Sequence, residues 1–366
     1  MKTIGISLYL DYYSLDQCKK MIDEASKLGY KEIFTSFNFE EYIFPGAKKI
    51  SAKDKKSLMT YAASKGMRFH VDITRNLLYK MGGTVEDLTC FKELGIPVLR
   101  LDGGFTADEI ATLTHNKQGV MIEDNLSNYE SMKKTTAVVK EKGNLKQYSA
   151  CLNFFPRNDT GSNLDDAVKA ANELKKLGCL TGGFIGSLLS PTEMNNTGTG
   201  TPSIEALRYL PSYIQMYELL CTDAFDFVLF GDSNPTKQEL EEVARAYKCY
   251  KKGYVELPCY LEPLDKNVLK KLKDLTYVSR VDWSDKVIRG TESRRIMVEP
   301  YNTIYREKYS VTMDNNLSNQ YAGELQITLD DLPAARNINV IGVVKPYARR
   351  LLPYIHHNAV AFKIKQ

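Results

Sequence analysis

The sequence lacks the spacing patterns of a metal or disulfide framework. Its seven cysteines are an odd number, are scattered along 366 residues and include no CxxC pair. Disulfide and zinc frameworks both need closer spacing, so we expect buried thiols in a reducing compartment. No two of the four histidines have the spacing of a zinc-binding helix. We therefore expect neither a metal nor a cofactor.

Long apolar runs and a strong charge of one sign are also absent. No run approaches the ~20 apolar residues of a membrane span, and Asp11 interrupts the short apolar stretch at the N-terminus, which argues against a signal peptide. The 49 basic and 45 acidic residues nearly balance, whereas nucleic-acid-binding proteins carry concentrated basic patches. We expect a cytoplasmic protein that binds neither nucleic acid nor membrane.

Short apolar runs alternate with helical patterns through the first two thirds of the chain. Such alternation predicts parallel βαβ units, and eight strands before residue 235 predict an α/β fold, a (β/α)8 TIM barrel, whose last helix covers 239–254. A doubly wound sheet is the alternative, but no GxGxxG follows the first strand. The expected strands cover residues 3–10, 32–37, 68–73, 97–102, 119–123, 147–154, 180–185 and 226–230.

The helical segments begin and end with recognisable residues. Ser, Thr or Asn starts each one and Gly lies at its end, which are typical helix boundary signals. Examples cover residues 14–30, 51–67, 84–96 and 163–178. After about residue 250 the pattern changes to strands and turns. We predict a TIM-barrel catalytic domain over 1–245 and a small β-rich domain over 246–366.

Polar residues stand at the ends of several expected strands. In a barrel these ends meet at one face, where catalytic residues come from different strands. The rule nominates Tyr9, Asp11, Asp72, Arg75, Arg100, Asp102, Glu123, Asn125, Asn153, Arg157 and Asp232. Among these we expect Arg100, Glu123, Asn125, Asn153, Arg157 and Asp232 to bind the substrate or its phosphate.

Asp72 and Asp102 are the preferred catalytic pair. Each ends an apolar strand, where a carboxyl loses solvation and its pKa can rise or be held by a nearby Arg. Two carboxyls so tuned can act as general acid and as nucleophile or base in glycoside cleavage. The alternative is that they cap helices or form salt bridges with Arg100 and Arg75. Glu205, near the expected barrel mouth, is a third candidate carboxyl.

Three further features predict anion binding. Arg157 follows Pro156, which fixes the backbone and can aim the guanidinium at a phosphate or carboxylate; a surface pair with Asp159 is the alternative. The loop 186–201 is too long for a simple connector. It ends at Thr201 and Pro202, which we expect to be the N-cap and the first residue of a helix. The free backbone N–H groups at this helix start could bind an anion, although capping alone explains the two residues equally well. Arg208, one turn from Glu205, is also expected to bind the substrate or its phosphate.

Ordered segments in both halves resemble a known family. They are EIFTSF (32–37), FKELGIPVLRLDGGF (91–105), EIATLTHN (109–116), NFFPRNDTG (153–161), TPSIEALRYLP (201–211), YREKYSVTMDNNLSNQYAGELQI (305–327) and DLPAARNINVIGVV (331–344). Together they resemble the two-domain bacterial 6-phospho-N-acetylmuramidases over nearly the whole length. The resemblance implies a barrel followed by a cyclophilin-like β-domain. It also implies hydrolysis, in cell-wall recycling, of the bond between N-acetylmuramic acid 6-phosphate and N-acetylglucosamine.

Two other functions fit the same residues. One is a sugar-phosphate isomerase or epimerase, which would need a divalent metal or a pair of bases around an enediolate. The other is a non-catalytic sugar-phosphate-binding protein. In every case the expected partner is a small phosphorylated sugar.

Overall fold

Eight parallel strands close into a barrel in the first unit of the protein. The chain forms two units, residues 1–244 and 245–366. The computed structural model describes residues 2–38, 50–189, 198–357 and 360–366. Each strand pairs with the next along the chain, and the last pairs with the first. The predicted TIM barrel is therefore confirmed over the doubly wound sheet. The strands are β1 (Thr3–Ser7), β2 (Glu32–Ser36), β3 (Arg68–Thr74), β4 (Val98–Gly103), β5 (Met121–Asn125), β6 (Tyr148–Cys151), β7 (Leu180–Ile185) and β8 (Phe227–Ser233).

Helices follow the strands, and side-chain caps fix where many of them begin. Ser14 and Thr106 form capping boxes with Gln17 and Glu109, which satisfies N–H groups that have no partner inside the helix. The helices are α1 (Leu15–Leu28), α2 (Ala52–Ser64), α3 (Arg75–Lys80), α4 (Thr89–Leu94), α5 (Ala107–Leu113), α6 (Tyr129–Lys142), α7 (Leu164–Lys175), α8 (Ser212–Cys221) and α9 (Lys237–Lys251). Across the described residues, no helix combines the length and apolar character needed to cross a bilayer.

Two predicted boundaries are wrong for local reasons. The segment 84–96 does not start as a helix, because the Thr84 hydroxyl accepts the N–H of Asp87 in a turn, and α4 begins only at Thr89. The first strand ends at Ser7 rather than residue 10, and a 3-10 helix follows over Leu10–Tyr12. Side-chain hydrogen bonds within a turn compete with regular structure in this way.

Aromatic side chains fill the middle of the barrel. Phe34 lies edge to face with Phe184, with ring centroids 5.2 Å apart, and Phe154 packs against both rings. Space for such rings requires small neighbours: a Cβ on Gly182 would lie only 2.0 Å from the ring of Phe227. The middle of the barrel therefore contains a packed aromatic core.

The second unit is a six-stranded sheet, whose strands lie in the order β10 (Val287–Gly290), β12 (Leu325–Thr328), β11 (Ser310–Asp314), β13 (Ile338–Val344), β9 (Tyr254–Leu261) and β14 (Ala361–Lys365). Neighbouring strands are antiparallel except β9 and β14, which are parallel. The β-rich character predicted after residue 250 is confirmed, and the cyclophilin-like topology stays a prediction. Its helices are α10 (Lys266–Asp274) and α11 (Leu352–His357).

Candidate active site

Three predicted site residues meet directly at the carboxyl ends of the barrel strands. Asp72 lies near the end of β3, Arg100 lies in β4 and Asn153 follows β6. Arg100 Nη1 donates to Asp72 Oδ1 at 2.6 Å, and Arg100 Nη2 donates to Asn153 Oδ1. Asp72 and Arg100 are only 6% and 3% exposed. The buried guanidinium of Arg100 therefore brings together the carboxylate of Asp72, in β3, and the side-chain amide of Asn153, which follows β6.

Asn38 connects Asp72 to the second predicted catalytic carboxyl. Its Nδ2 donates to Oδ2 of Asp72 at 2.9 Å and to Oδ2 of Asp102 at 3.2 Å, and its Oδ1 accepts the N–H of Thr74 at 2.8 Å. Because both oxygens bond to the same nitrogen, they lie no more than about 6 Å apart, the sum of the two distances. Ser36 also donates to Asp72, at 3.0 Å.

Asp72 and Asp102 differ in their surroundings. Burial raises the pKa of Asp72 to about 6; Arg100 opposes this rise, and the nearby Asp102 carboxylate adds to it. Asp102 is exposed and lines a cavity of about 570 Å³ together with Arg75 and Tyr79. A carboxyl with a pKa near neutrality can both hold and release a proton. The pair therefore offers one proton-exchanging carboxyl and one solvent-facing carboxylate.

Deeper in the barrel, His70 lies between two carboxylates. Its Nδ1 is 2.8 Å from Oε2 of Glu123, and its Nε2 is 3.2 Å from Oε2 of Glu32, which also accepts from Arg68 Nε at 2.5 Å. Burial alone would lower the pKa of His70, but Glu123 and Glu32 outweigh it and raise the pKa to about 9. The imidazole is therefore positively charged at neutral pH, and both its nitrogens donate.

Glu123 continues this arrangement towards Asp72. It stands beside Arg100 in the register of β4 and β5. Glu123 Oε1 and Arg100 Nε are both buried and have no partner among the described residues, although one accepts and the other donates. Positive and negative groups thus alternate from the bottom of the barrel to its mouth. We name this set the interior charge ladder, in the order Arg68, Glu32, His70, Glu123, Arg100 and Asp72.

Glu205 and Arg208 join two loops. Arg208 is fully buried and donates to Oε1 and Oε2 of Glu205, each at 2.6 Å, and to the carbonyl groups of Phe155 and Gly200. Glu205 also accepts the N–H groups of Asp159 and Gly161 at 3.0 and 2.7 Å. Hydrogen bonds from Arg208 lower the pKa of Glu205 to about 2. Glu205 is therefore ionised at neutral pH, and its contacts fix loops rather than reach the Asp72 carboxyl.

The predicted anion site at Thr201 is wrong in its geometry. The helix expected there is a 3-10 helix over Glu205–Leu207 with Ile204 as its N-cap. The Thr201 N–H instead donates to Oδ2 of Asp232 at 2.9 Å, and the same oxygen accepts the N–H of Ser187 at 2.7 Å. The carboxylate of Asp232 therefore binds the Thr201 N–H group that was expected to bind an anion. Residues 190–197 of this loop lie outside the described residues.

The remaining predicted residues have local contacts. Asn125 Oδ1 accepts the N–H of Ser127 at 2.9 Å, which closes a turn after β5. Arg157 is exposed, and its carbonyl accepts from Arg208 Nη2 at 3.3 Å. In the part of the chain that the structure describes, no group of three or more His, Cys, Asp and Glu side chains is arranged to hold a metal ion.

Sequence reasoning missed Asn38, Ser36 and Glu32 and considered His70 only as a metal ligand. Asn38 and Ser36 could have been found by the strand-end rule, because they stand at the end of the correctly predicted second strand. Glu32 and His70 lie earlier in the neighbouring strands β2 and β3, away from the strand ends to which the rule applies.

Comparison with known proteins agrees with this architecture. The N-terminal and C-terminal family profiles of 6-phospho-N-acetylmuramidase match residues 4–245 and 255–365. The crystal structure of an uncharacterised B. cereus protein is 25% identical with a TM-score of 0.85, covering 100% of this chain and 99% of that chain. A conserved Enterococcus faecalis protein of unknown function is 24% identical with a TM-score of 0.76, covering 100% and 96%. No curated protein has a matching sequence. The chain belongs to the 6-phospho-N-acetylmuramidase family.

Proposed function

We propose that the protein is a glycoside hydrolase that cleaves the bond between N-acetylmuramic acid 6-phosphate and N-acetylglucosamine during cell-wall recycling. Family membership supports the reaction class. The observation that carries the proposal is the pair Asp72 and Asp102, joined by one amide nitrogen of Asn38. The seven free cysteines support action in the reducing cytoplasm.

The two carboxyls have different roles in this proposal. Asp72, with its pKa near neutrality, protonates the glycosidic oxygen, while Asp102 attacks the anomeric carbon and forms a glycosyl-enzyme. Asp72 then takes a proton from water, whose oxygen displaces Asp102 from that carbon. A separation of no more than about 6 Å between their nearer oxygens supports this retaining route, since inverting enzymes space their carboxyls ~6.5 to 9.5 Å apart.

Substrate binding is assigned to the residues around this pair. Arg157 has an exposed guanidinium and a backbone that Arg208 fixes, which suits it to bind the 6-phosphate. Arg75 lines the cavity beside Asp102, and its guanidinium is held there by Glu109 at 2.7 Å. Arg100 and Asn153 orient Asp72, whereas Glu123, Glu205, Arg208, Thr201, Asp232 and Asn125 support the site without touching the sugar.

The test compares a 6-phosphorylated disaccharide with its unphosphorylated form. Asp72→Asn and Asp102→Asn should each lower kcat/KM by about 10²- to 10⁴-fold, whereas Asp108→Asn, on an exposed surface pair with Lys142, should leave it unchanged. Proton NMR of the first product should show the anomeric configuration of the substrate. Equal cleavage of both disaccharides, or full activity in both active-site variants, would refute the proposal.

A further inference from the structure

The cavity beside Asp102 lies between the start of α3 and the end of β4. It has a volume of about 570 Å³, and its described lining consists of Thr74, Arg75, Asn76, Tyr79, Asp102, Gly103 and Gly104. Small-molecule sites commonly enclose ~300 to 1,000 Å³. The cavity therefore has room for a substituted sugar ring, directly beside one carboxyl of the proposed catalytic pair.

Tyr79 forms the aromatic wall of this cavity. Of the described residues that line it, Tyr79 alone has an aromatic ring. Tyr79 is 41% exposed, so part of its ring surface is open to a ligand. An aromatic ring presents a large, flat and apolar surface, which is complementary to the C–H groups on one face of a sugar ring.

Arg75 fixes the position of the Tyr79 ring. Its guanidinium lies over the ring, with the central carbon 5.1 Å from the ring centroid, an attractive arrangement of a cation and an aromatic face. Nη2 of Arg75 is 2.7 Å from Oε1 of Glu109, and Glu109 also accepts the N–H of Thr106 at 2.9 Å. One face of the ring is thus covered and held, and the open surface belongs to the rest of the ring.

Two glycines keep the cavity open on the side of β4. Gly104 has a φ of +85°, and a Cβ at this position would lie 3.1 Å from Cβ of Arg75. Gly103 has a φ outside the left-handed region, and a Cβ there would meet nothing within 4 Å. A side chain at Gly103 would therefore enter the open space of the cavity without straining the backbone.

We propose that this cavity binds the sugar ring whose anomeric carbon Asp102 attacks, and that Tyr79 packs against one face of that ring. The inference rests on the proposed function, from which it takes the role of Asp102. A nucleophile must come within ~3 to 3.5 Å of the carbon that it attacks, so the attacked ring must lie in the space beside Asp102. Asp72 is only 6% exposed, and the glycosidic oxygen that it protonates lies on its side of the pair.

The experiment compares two substrates of the full-length protein. One is the phosphorylated disaccharide, and the other is a nitrophenyl glycoside of N-acetylmuramic acid 6-phosphate, which lacks the second sugar. Tyr79→Ala should raise KM about tenfold for both, because it removes apolar contact area. It should leave kcat within about twofold, because the ring contacts the ground state and the transition state alike. Tyr79→Phe keeps the ring and should keep both constants.

Tyr61→Ala is the matched control for the loss of an aromatic ring. Tyr61 lies near the end of α2, and its hydroxyl donates to Asp23 near the end of α1. In a barrel these helices return from the carboxyl ends of the strands to the opposite end, so Tyr61 is remote from Asp102. Its replacement should leave KM unchanged for both substrates.

Filling the cavity from the other side is an independent test. Gly103→Leu should lower kcat/KM by at least about tenfold for both substrates, because its side chain occupies the space of the sugar. Gly103→Ala should have a smaller effect. Thermal melting should not change in either variant, because a Cβ at Gly103 meets no protein atom within 4 Å.

The possible failures are distinguishable. If the wild type cleaves both substrates and Tyr79→Ala and Gly103→Leu retain its constants, this inference alone is wrong. A higher KM of Tyr79→Ala for the disaccharide only would place the leaving sugar against Tyr79 and would also overturn the inference. If the wild type cleaves neither substrate, the proposed function fails and this inference fails with it.

Discussion

Replacing His70 with glutamine removes the positive charge at the centre of the interior charge ladder. The pKa of His70 is raised from 6.5 to about 9 in the folded protein. A folded-state value above the unfolded one means that the protonated imidazole stabilises the fold, by about 3 kcal/mol for a shift of this size. This stabilisation is complete below pH 6.5 and is lost as the pH rises through 9.

The stability difference between wild type and His70→Gln should therefore depend on pH. At about pH 7, half a unit above the unfolded pKa, the wild type should be more stable by about 2.5 kcal/mol, and most of this advantage should disappear by about pH 9.5. The titration of Asp72, with a pKa of about 6, is largely complete before this range begins. Cysteine ionisation in the unfolded chain affects both proteins equally and cancels in the difference.

Urea denaturation followed by far-UV circular dichroism measures the effect. Fluorescence would not serve, because the single tryptophan, Trp283, belongs to the second unit. Phe227→Leu is the matched control, since its ring centroid lies 5.0 Å from that of His70. It should lower the free energy of unfolding by an amount that does not change with pH.

A pH-independent difference for His70→Gln would refute this reasoning. It would mean that His70 is neutral in the folded barrel and that Glu32 or Glu123 carries the proton instead. The alternation of charge in the ladder would then be broken at its centre.

Two further predictions concern the barrel mouth and the loops. In the wild type, kcat/KM should fall as the pH rises through about 6, because Asp72 must be protonated to act as an acid. Arg100→Gln removes a positive charge that lowers the pKa of Asp72, so this fall in kcat/KM should move to higher pH. Glu205→Gln should lower stability by about 2 kcal/mol, as it weakens charge-assisted hydrogen bonds to Arg208 and loop N–H groups, and should raise KM for the phosphorylated sugar more than it lowers kcat. Glu241→Gln is the control, because Glu241 forms an exposed pair with Lys237. It should change the free energy of unfolding by less than about 0.5 kcal/mol, and thermal melting compares the two variants.

The fold and the contact between Asp72 and Arg100 could be predicted because both follow from regular geometry. Alternating apolar runs and helical patterns specify βα units, and parallel strands bring their carboxyl ends together. Two polar residues near the ends of adjacent strands, such as Asp72 and Arg100, are then neighbours without further information. The same rule reaches Asn38 once it is applied to the second strand.

The errors arose where a distant partner decides what a residue does. Thr201 has the sequence of a helix start, but the carboxylate of Asp232, 31 residues away, binds its N–H. Glu205 looks like a free carboxyl at a loop end, but Asp159 and Gly161 from another loop donate to it. Local sequence patterns do not show that these distant partners exist, so they could not exclude an anion site at Thr201 or a catalytic role for Glu205.

The direction of the pKa shifts explains where a proton can be held in this barrel. Burial raises the pKa of Glu32 as it does that of Asp72, yet His70 and Arg68 outweigh it and leave Glu32 with a pKa of about 2. Asp72 has one cation, Arg100, and a second carboxylate, Asp102, beside it, and its pKa is about 6. A carboxylate inside the ladder has a cation on each side, whereas the carboxylate at its end does not. The proton is therefore held most readily at the mouth, next to the cavity that Asp102 lines, which is where protonation of a glycosidic oxygen requires it.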